Sequence, residues 1–518
     1  MAPAAGAAPA AAPAGDLELL FAEASQLHSS GADLPRAEAL YRSVLAANAR
    51  HPDALHQLGA LLTQRYGKKQ FDEAQRLVSA AVQLQPRSAK FRNSLGVVYQ
   101  EAGRWAEAAD AFERANEKDP MNVAILMNLA RALREVGRQQ RAAEVYGSVT
   151  KLQPDHPSAY YRRGAILRSL RRNEEALAAF RQHLRLAPDH QASRFWIAAI
   201  TGDTEGMAAA PADMVAGLFD QYADHFDDHL VNKLQYKTPE ALRDQLLAAN
   251  ADLVARAASG AGAGCSSSSG SSGKPSWRRC VDLGCGTGLM GPLLLPYMAR
   301  GAAGLEGVDL SAGMVKEAAR RGCYGRLEVG ELVGFLEAEA AALLTAPSEN
   351  GEPSASPPAS SAAASAEGQT GQRVDRSVPY DLLVAADVFV YIGNLGPVLR
   401  AAAAAASKGA VLAYSTEALE LAPVGKANRS SLPASAATAG EPEVKGKPEA
   451  KEAPGGGKPG GAQQGLRLQV TGRYAHTEEY LRRTGGEAGW RLVSISQSII
   501  RFNGGEPIWG HLCVMERM

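Results

Sequence analysis

The chain has 518 residues and a mass of 54.4 kDa, enough for two to four domains. Fifty-five Lys and Arg balance 55 Asp and Glu, which excludes the strongly basic footprint of a nucleic-acid or membrane-surface binder. Residues 1–200 hold 26 basic and 20 acidic side chains, leaving 29 against 35 in the remainder, a mild split that identifies no partner. No run of about 18 apolar residues occurs, so no transmembrane helix is expected. Five cysteines without a CxxC pair suit a reducing compartment, and a cytoplasmic location is expected.

In chain order, residues 1–16 carry no Lys or Arg and read as a disordered leader rather than a targeting peptide. A repeat then begins. Pro86, Pro120, Pro154 and Pro188 are each 34 residues apart. Ten residues after them sit Gly96, Ala130, Gly164 and Ala198. Ala108, Ala142 and Ala176 follow at +22, and Phe112, Tyr146 and Phe180 at +26. The earlier pairs Ala37/Tyr41 and Ala74/Val78 fit the same pattern once three extra residues near Tyr66–Lys69 are allowed. Pro52 corresponds to Pro157, and its own spacing of 34 from Pro86 is a coincidence.

Small residues let two antiparallel helices approach, and a large residue fills the adjacent groove. Proline stops each second helix. On these columns residues 17–201 resemble tetratricopeptide repeats, read as five repeats and a closing helix over Gln191–Ile200. The resemblance implies an α solenoid whose groove holds a protein or peptide partner. Support of the second domain and self-association are the alternatives. Arg162, Arg163, Arg168, Arg171 and Arg172 form either a solvated face or a groove for an acidic peptide.

Residues 212–518 read as one α/β domain interrupted at about 257–276, 345–378 and 424–464. These stretches are rich in Gly, Ser, Pro and Ala and too biased to pack. The remainder alternates strand and helix. Arg279–Leu283 is a strand followed by Gly284-Cys285-Gly286-Thr287-Gly288 and an apolar helix over Leu289–Met298. Leu305–Val308 ends at Asp309, and Ser311 caps a helix running to Arg321. Arg326–Val329 ends at Glu331, and Tyr380–Ala385 at Asp387. A helix over Gly396–Ala406 leads to a strand at Ala410–Tyr414. After a helix at Thr477–Thr484, Arg491–Arg501 and Ile508–Val514 close the sheet through Asn503-Gly504-Gly505. Such alternation predicts a parallel sheet covered on both faces, with ligands beyond the carboxyl ends of the strands.

The glycine loop and the acidic strand ends resemble class I S-adenosylmethionine-dependent methyltransferases, with a Rossmann-like sheet and a closing antiparallel strand pair. The resemblance implies that Asp282, Gly284, Gly286 and Gly288 lie against the methionine and ribose parts of S-adenosyl-L-methionine. It implies that Asp309 holds the ribose hydroxyls and that Glu331 lies near the adenine amine. Asp387 falls where cofactor amine and substrate meet. The segments Gly217–Asp227, Gly472–His476 and Arg501–Pro507 narrow the likeness to predicted methyltransferases bearing N-terminal tetratricopeptide repeats.

The expected activity is methyl transfer to an unidentified acceptor. The alternatives are an interaction protein with a vestigial catalytic domain, and a nicotinamide-dependent oxidoreductase. Candidate catalytic residues are Tyr222 closing over the cofactor, Tyr391 lining the substrate pocket and His476 as a base. Each has a plain packing or hydrogen-bonding alternative. His225 and His229 have a chelating spacing but no third ligand, so no metal is expected. Cys285 reads as a small loop residue.

Overall fold

The computed structural model describes residues 14–223, 226–227, 236–258, 275–345, 374–420, 465–503 and 506–518. Most of the three biased stretches, most of the leader, His225, His229, Gly504 and Gly505 lie outside the described residues. The chain divides into two compact units, Met1–Arg194 and Phe195–Met518.

The first unit is built from paired helices: α1 (Ala14–Ser30) with α2 (Leu34–Ala47), α3 (Pro52–Tyr66) with α4 (Phe71–Leu84), and α5 (Ala89–Glu101) with α6 (Trp105–Asn116). Then come α7 (Val123–Glu135) with α8 (Gln139–Leu152) and α9 (Pro157–Ser169) with α10 (Asn173–Leu186). The opening helix takes in Ala14–Asp16, so order begins before the end of the expected leader. The small-residue column does what its spacing predicts. A Cβ on Gly96 would lie 2.5 Å from the Phe112 ring, and one on Gly164 would lie 2.9 Å from Phe180. Gly59 stands in the same relation to Val78, at 2.4 Å. The three additional residues are absorbed in a single 3₁₀ turn, Gly67–Gln70. Pro52 and Pro157 both open helices, where the missing N–H costs nothing, each behind a histidine that caps the helix through its ring.

Helix α11 (Gln191–Thr201) straddles the division between the units. From Phe195 onward it packs with Ala210, Val215, Leu468 and Tyr474 of the second unit. Phe195, Ala198 and Ala199 are buried in this cluster.

In the second unit α12 (Ala212–Tyr222) and α13 (Thr238–Ala258) precede a mixed sheet. Its strands are β1 (Cys280–Leu283), β2 (Leu305–Asp309), β3 (Arg326–Val329), β4 (Tyr380–Ala385) and β5 (Ala406–Ala418). They continue with β6 (Leu466–Leu468), β7 (Tyr474–His476), β8 (Trp490–Asn503) and β9 (Glu506–Arg517). The helices between them are α14 (Gly291–Leu294), α15 (Ala312–Arg320), α16 (Leu332–Thr345), α17 (Gly396–Ala405) and α18 (Glu478–Glu487). The order across the sheet is β3-β2-β1-β4-β5-β9-β8, parallel from β3 to β5, with β9 antiparallel to both β5 and β8. The short β6–β7 hairpin joins the far end of β5 at Glu417 and Ala418.

One apolar layer contains Leu336, Val398 and Leu399 with Trp490, and the other Leu242, Leu246, Met290 and Val315. Burial on both faces explains why the central strands read as continuous apolar runs. The apolar stretch after the glycine loop gives only the short α14, opened by Pro292 in its first turn, and a 3₁₀ turn, because Pro296 has no N–H to continue the helix. The fifth strand is longer than its apolar core, since pairing with β9 runs on through Glu417. No helix among the described residues is long and apolar enough to cross a membrane.

Candidate functional site

The strand order reverses between β1 and β4: the chain lays β2 and β3 on one side of β1, then returns to place β4 on the other. Connections leaving the carboxyl ends here diverge and open a crevice. The glycine loop after β1 lies at this point, with positive φ at Gly284, Gly286 and Gly288. That backbone excludes ordinary side chains. The three glycines differ in what surrounds them. A Cβ on Gly284 would strike Val388 at 2.4 Å, and one on Gly288 would press on Tyr324 and Ala318. A Cβ on Gly286 would meet nothing within 4 Å. The outer two glycines thus serve packing within the chain, and the middle one faces open space.

Asp309, at the end of β2, is joined to this loop. Its Oδ2 accepts the Gly286 N–H at 2.9 Å, and its Oδ1 accepts the Ser311 N–H at 2.9 Å. The loop is fixed again by Val308, whose carbonyl accepts the N–H groups of Gly284 and Cys285. Burial pushes the Asp309 carboxyl upward, opposed by the two backbone donors. Asp282 lies deeper and is 1% exposed, with the Tyr324 hydroxyl donating to it at 2.7 Å. Burial raises its pKa to about 7. Its carboxyl is thus committed beneath the loop rather than offered on the open side. Glu331 is exposed after β3, and its Oε2 accepts the Gly334 N–H at the start of α16.

Asp220 and Asp227, the described acids of the segment Gly217–Asp227, bond to these elements. Asp220 accepts the Ser311 hydroxyl and, at 3.0 Å, the Gly313 N–H. These bonds hold its carboxyl below the usual range. Asp227 accepts the Thr287 hydroxyl at 2.5 Å and the Arg321 guanidinium. The spacing of Tyr222 from Asp220 puts it on the opposite side of α12, and it is 52% exposed. Tyr222, the residue expected to close over the cofactor, thus stands exposed and away from the Asp220 contacts in this structure. Phe219 turns inward instead, against Tyr391 and Phe226.

On the β4 side, Asp387 has φ +58°, a strained conformation for a non-glycine residue, and its N–H donates to the Ser415 hydroxyl at 2.7 Å. Its carboxylate grips Arg501 Nη1 at 2.8 and 3.1 Å, while Arg501 Nη2 donates to Glu417. Arg501 is 3% exposed and links β8 to the ends of β4 and β5. Arg473, in the β6–β7 turn, donates to the Tyr391 hydroxyl at 3.3 Å and lies 5.8 Å from its ring centre. His476 is fully buried. Its Nε2 donates to the Gly393 carbonyl at 3.0 Å, so Nδ1 accepts the Thr416 hydroxyl at 2.6 Å. Burial lowers its pKa to about 4. With both nitrogens committed and no exposure it is a neutral positioning group, which corrects the expected base.

The roles of Asp220, Asp227 and Arg501 were not separable in the sequence, because each acts on a partner 60 to 114 residues away. Their only signal was membership of the three segments carrying the methyltransferase resemblance. The Cys285 thiol is buried and pushed well above its usual value, which disfavours reactivity. No group of three His, Cys, Asp or Glu among the described residues could hold a metal. In the first unit a cleft of about 360 Å³ lies between α3 and α5, lined by Ala60, Thr63, Gln64, Ser94, Val97 and Glu101.

The tetratricopeptide-repeat family model matches residues 60–123 and 127–190. A crystal structure of MamA is 21% identical, spanning 32% of this chain and 94% of that one, with a TM-score of 0.30. A structure of YrrB, described as a TPR protein with an unusual peptide-binding site, is 22% identical over 34% of this chain and 88% of that one, with a TM-score of 0.30. No curated protein matches the chain. The first unit therefore carries tetratricopeptide repeats, joined to a second unit of mixed α/β structure.

Proposed function

We propose that the second unit is a class I S-adenosylmethionine-dependent methyltransferase and that the repeats dock a protein or peptide, as substrate or scaffold. The observation that carries the reading is the 2.9 Å bond between the Gly286 N–H and Asp309 beside open space at Gly286. A bare backbone and a carboxylate acceptor meet there at the switch point, the donor set that an adenosyl group fits. The antiparallel closing pair β8–β9 and the parallel strands β1–β5 agree with the same resemblance.

When bound, S-adenosylmethionine supplies a methyl group already activated on a sulfonium. Asp309 would hold the ribose hydroxyls through the lone pairs its two backbone donors leave free. Gly286 gives the cofactor close access to the backbone, and Glu331 supplies a carboxylate toward the base. Asp220 and Asp227 tie this part of the chain to Ser311 and Thr287, beside the glycine loop. Asp387 and Arg501 fix the wall on the acceptor side. The chain's contribution is chiefly placement, since an activated methyl group needs a nucleophile held in line at about 3–3.5 Å.

A second reading is an interaction protein whose α/β unit does not turn over. It draws on His476 being sealed and Asp387 being locked to Arg501, which leaves neither as a free base. Calorimetry on the full chain with S-adenosylhomocysteine and with NADH tests the cofactor assignment. Binding of the first alone is expected, and binding of only the second would replace the assignment with an oxidoreductase. Labelled S-adenosylmethionine incubated with fractionated extract then separates the readings. Counts transferred to any fraction support catalysis, and cofactor binding with no transfer supports the scaffold.

A further inference from the structure

The β6–β7 turn holds a guanidinium whose hydrogen-bonding capacity is largely unspent. Arg473 has five N–H donors, and among the described residues its one hydrogen bond goes to the Tyr391 hydroxyl at 3.3 Å. Its nearest carboxylate oxygen, Glu417 Oε1, is 4.0 Å away and is the same oxygen that accepts Arg501 Nη2. Glu417 is therefore already committed. Glu417 and Asp387 share the one Arg501 charge, and the remaining negative charge favours a charged Arg473 without occupying its fork.

The backbone under Arg473 is fixed. Its carbonyl accepts the Gln469 N–H at 2.8 Å, Gly472 occupies the left-handed region, and Tyr474 is fully buried with its hydroxyl donating to the Met207 carbonyl. The side chain is nevertheless 29% exposed, unlike Arg501 at 3%. Tyr391 lies beneath it, and Phe219 packs edge-on against the same ring.

Position decides which molecule this fork faces. The turn sits past the carboxyl end of β4: β7 pairs with β5 at Glu417 and Ala418, and at Glu417 the other edge of β5 is taken by β9. Asp309 and Glu331 lie on the other side of β1, after β2 and β3. An adenosyl group reaching toward them leaves Arg473 on the acceptor side of Asp387.

Building on the methyltransferase reading, we propose that Arg473 is an acceptor-binding residue and that the methyl acceptor carries a carboxylate, gripped by the guanidinium fork above the Tyr391 ring. Planar two-pronged recognition of this kind is what Arg offers and Lys does not. The reacting nucleophile is a separate atom of the acceptor, so the carboxylate orients without taking part in the transfer.

The test is calorimetric titration of the full chain, first with S-adenosylhomocysteine and then, once loaded, with benzoate and its uncharged isostere benzamide. Benzoate is expected to bind at least tenfold more tightly than benzamide. Arg473→Met, which keeps an apolar chain over Tyr391, is expected to abolish that preference while S-adenosylhomocysteine affinity stays within twofold. Arg473→Lys, which keeps the charge, is expected to retain part of the preference and serves if the Met variant does not fold. Equal binding of the two probes by the wild-type chain, binding of neither, a benzoate preference surviving in Arg473→Met, or an undiminished preference in Arg473→Lys would overturn the proposal. A tenfold loss of S-adenosylhomocysteine affinity in Arg473→Met would overturn it too, because the anion would then be the cofactor's own carboxylate. If the wild-type chain binds no S-adenosylhomocysteine, the methyltransferase reading fails. Cofactor binding without a benzoate preference defeats only the acceptor assignment.

Discussion

Replacing Asp309 by alanine tests the centre of the functional reading. The carboxylate accepts two backbone N–H groups, from Gly286 and Ser311, and sits beside the open side of the glycine loop. Two ribose hydroxyls donating to it would form charge-assisted bonds worth about 1.5–3 kcal/mol each. Losing both gives about 3–6 kcal/mol, and at ~1.4 kcal/mol per decade the dissociation constant of S-adenosylhomocysteine should rise at least 100-fold. The substitution also strands two N–H groups, at about 1–3 kcal/mol each if they stay dry. Urea unfolding of the unliganded variant measures that cost separately. Asp309→Asn keeps an oxygen acceptor and should fall between the two in both assays. A dissociation constant within threefold of wild type in a folded Asp309→Ala chain would refute the ribose assignment.

Arg501→Met should destabilise the α/β unit by about 3–5 kcal/mol in urea unfolding, because Asp387 and Glu417 would lose the guanidinium that hydrogen-bonds both, leaving only Arg473 at 4.0 Å from Glu417. Gly96→Ala should cost about 1–3 kcal/mol through its clash with Phe112, partly offset by about 1 kcal/mol of helix propensity. Adding Phe112→Leu should then cost less than it does alone, and strict additivity of the two in thermal unfolding would argue against the contact. Asp282 binds its proton more tightly folded, at about 7, than unfolded, at about 3.9. Its contribution to stability is therefore full below about pH 4 and is lost as pH rises through about 7, at up to ~1.4 kcal/mol per pH unit. Asp282→Asn should remove that slope while keeping an acceptor for Tyr324, and an unchanged difference between the two proteins from pH 4 to 8 would contradict the shift.

The repeat unit was legible because its defining contacts are local. Gly96 meets Phe112 and Gly164 meets Phe180 sixteen residues further on, so the periodicity in the sequence is the packing itself. Strands β1, β2 and β4 were legible for a related reason: each is a short, largely apolar stretch ending at or just before an acid or a glycine. Helix α16 escaped notice because Leu332–Thr345 is apolar almost all round and shows no amphipathic stripe. The β6–β7 hairpin escaped because three-residue strands carry too little pattern to read.

By itself the sequence determined the helical repeat, the parallel part of the sheet and the proximity of the glycine loop to a carboxylate one strand away. Only the tertiary structure decided that Tyr222 faces outward, that His476 is sealed by Thr416 and Gly393, and that Arg501 is shared by Asp387 and Glu417. It likewise put Arg279 into a buried network with Glu306 and Glu339, where the start of β1 had read as part of a simple strand. The division has one cause. A side chain's neighbours along a helix or strand follow from spacing, whereas the state of a buried charge depends on groups from distant segments that fold to the same place.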